Sequence, residues 1–193
     1  VWKRENTVCA FKFIDEAKKN YHLKTFSHPS LALSEGYIVT HQYHCGACSE
    51  LKNLAAFLEV KDMTDPSRKC TKKMGLKKIK KCTEEMGLTP LCSEAWAYNS
   101  VHTKKRCMMT CVKDYGFFNL IFNKMSNDHT LPDGSLRPCI LCDEVKSGAG
   151  YKYVVGRSRR TSGVESAIQR TGQELYPIDF QTYYNIFDLE VRR

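Results

Sequence analysis

Residues Thr89–Gly116, TPLCSEAWAYNSVHTKKRCMMTCVKDYG, decide how the chain is built. Thr89 followed by Pro90 is a cap-plus-proline signal that opens a helix through Cys92, Ala95, Trp96 and Asn99. Thr103 is placed to cap a last helix, Lys104–Tyr115, in which Cys107 and Cys111 stand four residues apart on one face. Cysteines on apolar helix faces predict a helical core that is cross-linked.

The residues upstream follow the same pattern. Leu51, Leu54, Ala55 and Leu58 recur at helical spacing and predict an amphipathic helix over Ser49–Val60. Asp65–Pro66 starts a short helix through Cys70 to Met74, stopped by Gly75. Leu76, Ile79, Cys82 and Met86 form a further stripe that ends at Gly87. Residues 45–116 therefore make up the helical, cysteine-rich core.

Outside that core the signals are mixed. Phe11–Leu23 reads as a short helix with Phe11, Ile14, Ala17 and Tyr21 on one face, and Gly36–His44 as a strand. Together they form an N-terminal arm and strand over residues 1–44. Residues 117–193 hold an apolar segment (Phe117–Phe122, strand or helix), a polar loop, an arginine-rich unit and a C-terminal arm. Within that unit Tyr151–Val155 has strand composition. The expected fold of this single domain is mainly α, with α+β as the alternative: a disulfide-stapled helical core and a small β or irregular layer from the N- and C-terminal parts.

The chain of 193 residues carries ten cysteines: Cys9, Cys45, Cys48, Cys70, Cys82, Cys92, Cys107, Cys111, Cys139 and Cys142. Five disulfides are the preferred state, with Cys107 and Cys111 reaching different partners and Cys82 and Cys92 suited to a helical hairpin. The alternative joins Cys45, Cys48, Cys139 and Cys142 as two C-x-x-C knuckles on one zinc ion. A redox-active C-x-x-C lacks the βαβ pattern it would need. No cofactor is expected, zinc being the one alternative. Abundant cysteine, and a start at Val1 that fits a removed signal peptide, point to secretion or an organelle lumen. No apolar run approaches the ~20 residues of a membrane span.

Thirty Lys and Arg against 21 Asp and Glu give a net charge of +9, a basic protein suited to anionic partners. The densest anion-binding chemistry lies in Gly156–Arg170, GRSRRTSGVESAIQR. Arg157, Arg159, Arg160 and Arg170, with Ser162, are the candidate ligand contacts, because guanidinium forks match carboxylate, sulfate and phosphate. Ser162–Glu165 also has the form of a capping box, which would start a helix over Gly163–Arg170. The lysine-rich run Lys69–Cys82 lies on the solvent side of amphipathic helices, and no nucleic-acid motif accompanies it, so nucleic acid is not an expected partner. For catalysis the candidate acids and bases are Asp143, Glu144 and His44, none of them inside a recognisable nucleophile motif. His41, His102 and His129 are weaker candidates, since a lone histidine is more often structural.

Three blocks carry a resemblance: CGACSELKNLAAFL (Cys45–Leu58); Cys92, Trp96, Asn99, Cys107 and Cys111; and CDE-x-x-SG…GR-x-RR-x-SG-x-x-SAI-x-R (Cys142–Arg170). In these blocks the chain resembles an uncharacterised family of cysteine-rich secreted proteins of diatoms and related microalgae. The resemblance implies a disulfide-rich, signal-peptide-bearing protein of a marine eukaryote and no particular activity. It favours disulfides over zinc and makes Cys142–Arg170 a unit.

The expected function is a secreted or lumenal binding or assembly protein. Its arginine-rich unit would engage an anionic partner: a polysaccharide, a membrane surface or an acidic subunit. The alternative is an extracellular enzyme with Asp143 or Glu144 as acid/base and an arginine clamp in a pocket between residues 139–170 and the helices. A second alternative is a zinc-stabilised nucleic-acid module.

Overall fold

The computed structural model describes residues 6–60, 62–122, 124–125, 128–168 and 175–178. Three strands, β1 (Val8–Phe13), β2 (Tyr21–Phe26) and β3 (Ile38–Gln42), form an antiparallel sheet in the order β2-β1-β3. Helix α1 (Pro29–Ser34) precedes β3. Then come α2 (Leu51–Glu59), α3 (Thr64–Thr71), α4 (Leu76–Glu84), α5 (Pro90–Tyr115), α6 (Phe117–Phe122), α7 (Pro138–Asp143) and α8 (Ala149–Val155). A π-helical turn, Glu144–Gly148, joins α7 to α8, and a 3₁₀ turn follows at Arg160–Ser162.

This is an α+β fold, which corrects the mainly α expectation. The error lies in the first 44 residues. β1 is the central strand and is covered on both faces, so its residues do not alternate apolar with polar. Val8 and Ala10 pack with Phe26 and Ala32 on the α1 side, while Phe11 packs with Leu51, Leu54 and Val164 on the α2 side. The helix predicted across Phe11–Leu23 is instead the β1–β2 hairpin. Its turn is fixed by Asp15, whose carboxylate accepts the backbone N–H groups of Lys19 and Asn20.

The helical core follows its predicted order, with α3 starting before Asp65 and ending at Thr71 rather than Met74, and with one larger change. Thr103 does not cap a new helix; α5 runs unbroken for 26 residues, because no Gly or Pro interrupts it and the Thr103 hydroxyl turns to Asp143. Gly116, at φ 84°, ends it. Tyr151–Val155 lies in α8 and is not a strand. Val155 enters the core beside Cys48 and Cys92, and Tyr151 packs edge-on against Trp96, one helical turn back on the same face. The helix expected over Gly163–Arg170 does not start at Ser162, whose hydroxyl binds Arg157, and Gly163 adopts the left-handed conformation. Most of the C-terminal arm and Arg170 lie outside the described residues.

All ten cysteines pair: Cys9–Cys45, Cys48–Cys92, Cys70–Cys82, Cys107–Cys142 and Cys111–Cys139. The two C-x-x-C pairs thus divide among four different partners, which overturns the four-thiolate zinc arrangement of Cys45, Cys48, Cys139 and Cys142 and with it the zinc-dependent module. Cys82 and Cys92 do not join: Cys82 bridges α4 to α3, and Cys92 ties the start of α5 to the loop after β3. Cys107 and Cys111 do reach different partners, both on α7, and zip that short helix antiparallel along α5. Asp114, one helical turn further along α5, accepts the Cys139 backbone N–H at 3.0 Å and so caps α7.

Non-reducing peptide mapping should recover these five bridges. Replacing Cys48 and Cys92 together by Ser, which opens a loop with a sequence separation of 44, should cost about 4 kcal/mol in urea unfolding. Free thiols at Cys45 or Cys139 in the folded protein would contradict the pairing.

His41 supplies a pH dependence. It is fully buried, and its Nδ1 donates to Gln42 O at 2.8 Å; in the neutral ring that burial favours, Nε2 accepts from Ser49 Oγ at 2.7 Å. Burial, reinforced by the neighbouring Arg157 charge, holds its pKa well below 6.5. The unfolded chain therefore binds a proton that the fold refuses. Stability is full above the ordinary histidine pKa of about 6.5 and falls as pH drops below it, by up to about 1.4 kcal/mol per pH unit. Melts taken between about pH 7 and about pH 5 should show that slope, and His41→Gln should flatten it.

Candidate functional site

The arginine-rich unit meets the rest of the protein where two glycines cross. A Cβ on Gly46 would stand 2.5 Å from Val154 O, and one on Gly156 would stand 2.6 Å from Gly46 N. Only glycine allows this approach, through which Ala47 and Cys48 donate their N–H groups to Val154 O and Val155 O, each at 2.9 Å. Gly156, at φ 68°, turns the chain so that Arg157 points inward.

Arg157 is 1% exposed. Its Nε donates to Cys48 O (3.1 Å), Nη1 to Thr40 O (3.2 Å) and Ser162 Oγ (3.0 Å), and Nη2 to Thr40 Oγ1 (2.5 Å) and Ser49 O (3.0 Å). The fork therefore joins β3, the loop after it and the 3₁₀ turn, and does not face a ligand. Ser162 is likewise buried. Arg159 is half-occupied in the same way: it donates to Phe57 O and Val60 O at the end of α2 and to Glu165 O. Both Arg159 and Arg160 line a cavity.

That cavity, of about 500 Å³, opens between α3, α5, α7, α8 and the Ser158–Arg160 turn. Its walls carry Met63, Trp96, Met108, Ile140 and Tyr151, with Leu120 of α6 and Met125 just beyond it. Basic groups on it are Arg68, Lys72, Lys104, Lys152, Arg159 and Arg160, with Arg157 touching the wall while every fork nitrogen is bonded in the core, against the acids Asp62, Asp143 and Glu144. The acids are occupied. Asp143 accepts from Thr103 Oγ1, Glu144 from Lys152 Nζ at 2.7 Å, and Asp62 lies 3.7 Å from the His129 ring nitrogen. Burial opposes ionisation of Asp62, but hydrogen bonds from Thr64 and the His129 charge bring its pKa below the usual value.

Three of the cations have only neutral partners among the described residues. Arg68 donates to Tyr115 Oη (3.2 Å), Lys72 to Ile121 O (3.2 Å) and Lys104 to Lys73 O (3.4 Å). Burial draws the Lys104 pKa down, a cost of holding that charge on a partly dry wall. Burial, together with the Asp143 charge, pushes the Tyr151 phenol well above its usual value, so the phenol stays neutral.

The sequence-derived candidates thus divide. Asp143, Glu144, Arg159 and Arg160 come together on one cavity. His44 lies elsewhere, its Nε2 2.6 Å from Tyr153 O and its ring 4.8 Å from that of Tyr153. Of the cavity-facing cations, Lys72 belongs to the run Lys69–Cys82 expected on the solvent side and instead reaches the cavity rim, while Arg68 and Lys104 carry no expectation from the sequence. Their signal was present as Arg68 and Lys72, and Lys104 and Met108, each pair four residues apart on one helix face. Among the described residues no group of three or more His, Cys, Asp or Glu side chains is placed to hold a metal ion.

The arrangement of cavity, double-stapled α7 and glycine-crossed turn falls largely within one matched region. Residues 76–178, more than half of the chain, match a family of unknown function (DUF8771), and the chain belongs to that family. No curated protein and no solved structure matches the chain.

Arg157→Lys keeps the charge but loses the fork, leaving buried carbonyls without donors. It should cost about 3 kcal/mol or more in denaturant unfolding. A change under about 0.5 kcal/mol, the ordinary value for a surface site, would return Arg157 to the ligand contacts.

Proposed function

We propose that this is a secreted or lumenal binding protein whose cavity takes a small anionic amphiphile. The apolar part would lie against Trp96, Met108 and Tyr151. Its anionic end would meet Arg68, Lys72 and Lys104, with Arg159 and Arg160 of the arginine-rich unit on the same cavity. Five disulfides support the compartment, as does the resemblance to secreted microalgal proteins. No described helix is long and apolar enough to cross a membrane.

The observation that carries the proposal is the imbalance inside the cavity. Its three carboxylates are already engaged, while three of its cations have only neutral oxygens for company. An anion entering there meets charge without having to break an ion pair. The concave, mostly apolar shape has the size of a small-molecule site and favours an amphiphile over a flat polymer surface. An acid/base role for Asp143 or Glu144 gains no such support, since Thr103 and Lys152 hold both carboxylates.

A long-chain carboxylate should quench Trp96 fluorescence on titration and bind at least about tenfold more tightly than the alcohol of equal chain length. Arg68→Glu with Lys104→Glu should erase that preference. Equal affinity for acid and alcohol, or no binding of either, would sink the proposal.

A further inference from the structure

Helix α6, FFNLIF, has no buried residue. Phe117 is 57% exposed, Phe118 71%, Ile121 51% and Phe122 65%. At positions i, i+1, i+4 and i+5 these four side chains share one face of the helix. The opposite side is accounted for: Leu120 reaches the cavity, and Asn119 Nδ2 donates to Tyr115 O at 2.8 Å. Exposing four large apolar groups in six residues is costly in water and is not how isolated surface residues are distributed.

The charge along the chain on either side of this face is almost all of one sign. Between Lys104 and Lys124 the sequence holds Lys104, Lys105, Arg106, Lys113 and Lys124, and a single acid, Asp114. Asp114 is turned inward, bound to Arg137 and to the N-terminus of α7. Lys105, Arg106, Met109 and Lys113 are exposed along the second half of α5, and Lys124 is exposed just beyond α6. None of these four cations makes an ion pair among the described residues. The face is therefore aromatic and aliphatic, with exposed cations preceding it along α5 and following it at Lys124.

We propose that α6 docks this protein on an anionic lipid bilayer. Phe117, Phe118, Ile121 and Phe122 enter the boundary between headgroups and acyl chains, and Lys113 and Lys124 meet headgroup phosphates. The chemistry favours a bilayer over a protein partner. Nothing in the four-residue face offers directed hydrogen bonds, whereas insertion of aromatic groups with basic flanks matches the layered polarity of a lipid surface. The docking surface stands on exposure and charge and does not depend on what the cavity holds. The two are adjacent nonetheless, because Leu120 on the inner side of α6 lines the cavity.

The test is co-sedimentation with phosphatidylcholine vesicles, with and without phosphatidylglycerol. The wild-type chain should partition onto the anionic vesicles and release in high salt. Phe118→Asp with Phe122→Asp should weaken partitioning at least about tenfold, as should Lys113→Glu with Lys124→Glu. These side chains are exposed, so an unchanged thermal melt should accompany each variant. Arg68→Glu with Lys104→Glu, the cavity variant, should still bind vesicles through the Phe face, which separates a failed cavity from a failed docking surface. The proposal is overturned if the wild type ignores anionic vesicles or if the Phe variant partitions equally. It is also overturned if the wild type binds no vesicles but dimerises in solution while the Phe variant does not, which would make the face a contact between copies.

Discussion

The fold hangs on a buried positive charge. Placing a guanidinium where water cannot reach it is expensive unless each donor finds an acceptor in the right direction. Arg157 meets that condition by drawing on Thr40, Cys48, Ser49 and Ser162, groups that belong to β3, to the loop after it and to the 3₁₀ turn. Those segments must therefore be in place together. The approach that makes it feasible is the crossing of Gly46 and Gly156, where any side chain would strike backbone. Two disulfides fix the same loop from either side, Cys45 to β1 and Cys48 to α5. The N-terminal sheet and the arginine-rich unit are locked to each other at one point, and His41 is kept neutral next to it.

That lock decides which arginines can act outside the core. Adjacent residues in one basic run end with opposite roles: Arg157 is structural, Arg159 closes the end of α2, and Arg160 lies on the cavity. The remaining positive charge of the site comes from helices that approach from the other side. The double staple between α5 and α7 sets the distance between those walls, and Cys111 and Cys139 themselves line the cavity. Cross-linking here shapes the concavity as well as stabilising the chain.

Much of the helical part was legible because its signals are local. Apolar spacing gave α2 and α4, and Thr89–Pro90 and Gly116 gave the ends of α5. What failed depends on distant residues. β1 lacks alternation because α1 and α2 cover its two faces, and neither covering is visible from positions 8–13. Thr103 looks like a cap until Asp143, forty residues on, supplies another partner. Arg157 looks like a surface anion binder because nothing in GRSRR distinguishes a charge that will be enclosed from one that will not. The α8 error was of another kind. Tyr151 and Val155, four apart, carried helical spacing that composition alone obscured.

The cavity walls are not tied equally. α3 is bridged to α4, α5 is bridged at both ends, α7 is stapled twice, and α8 is pinned by the Gly46–Gly156 crossing and the Lys152–Glu144 pair. α6 has no cysteine, follows a left-handed glycine and buries no side chain fully. It is held among the described residues by Leu120 against the cavity, the Asn119 amide on Tyr115 O and the Lys72 ammonium on Ile121 O. The ligand proposed for the cavity would therefore meet least resistance at α6, since displacing any other wall would strain a disulfide or uncover the buried guanidinium. The cavity wall with the fewest ties is also the one whose outer face is apolar, and a surface that took up that face would act directly on the wall beside the cavity.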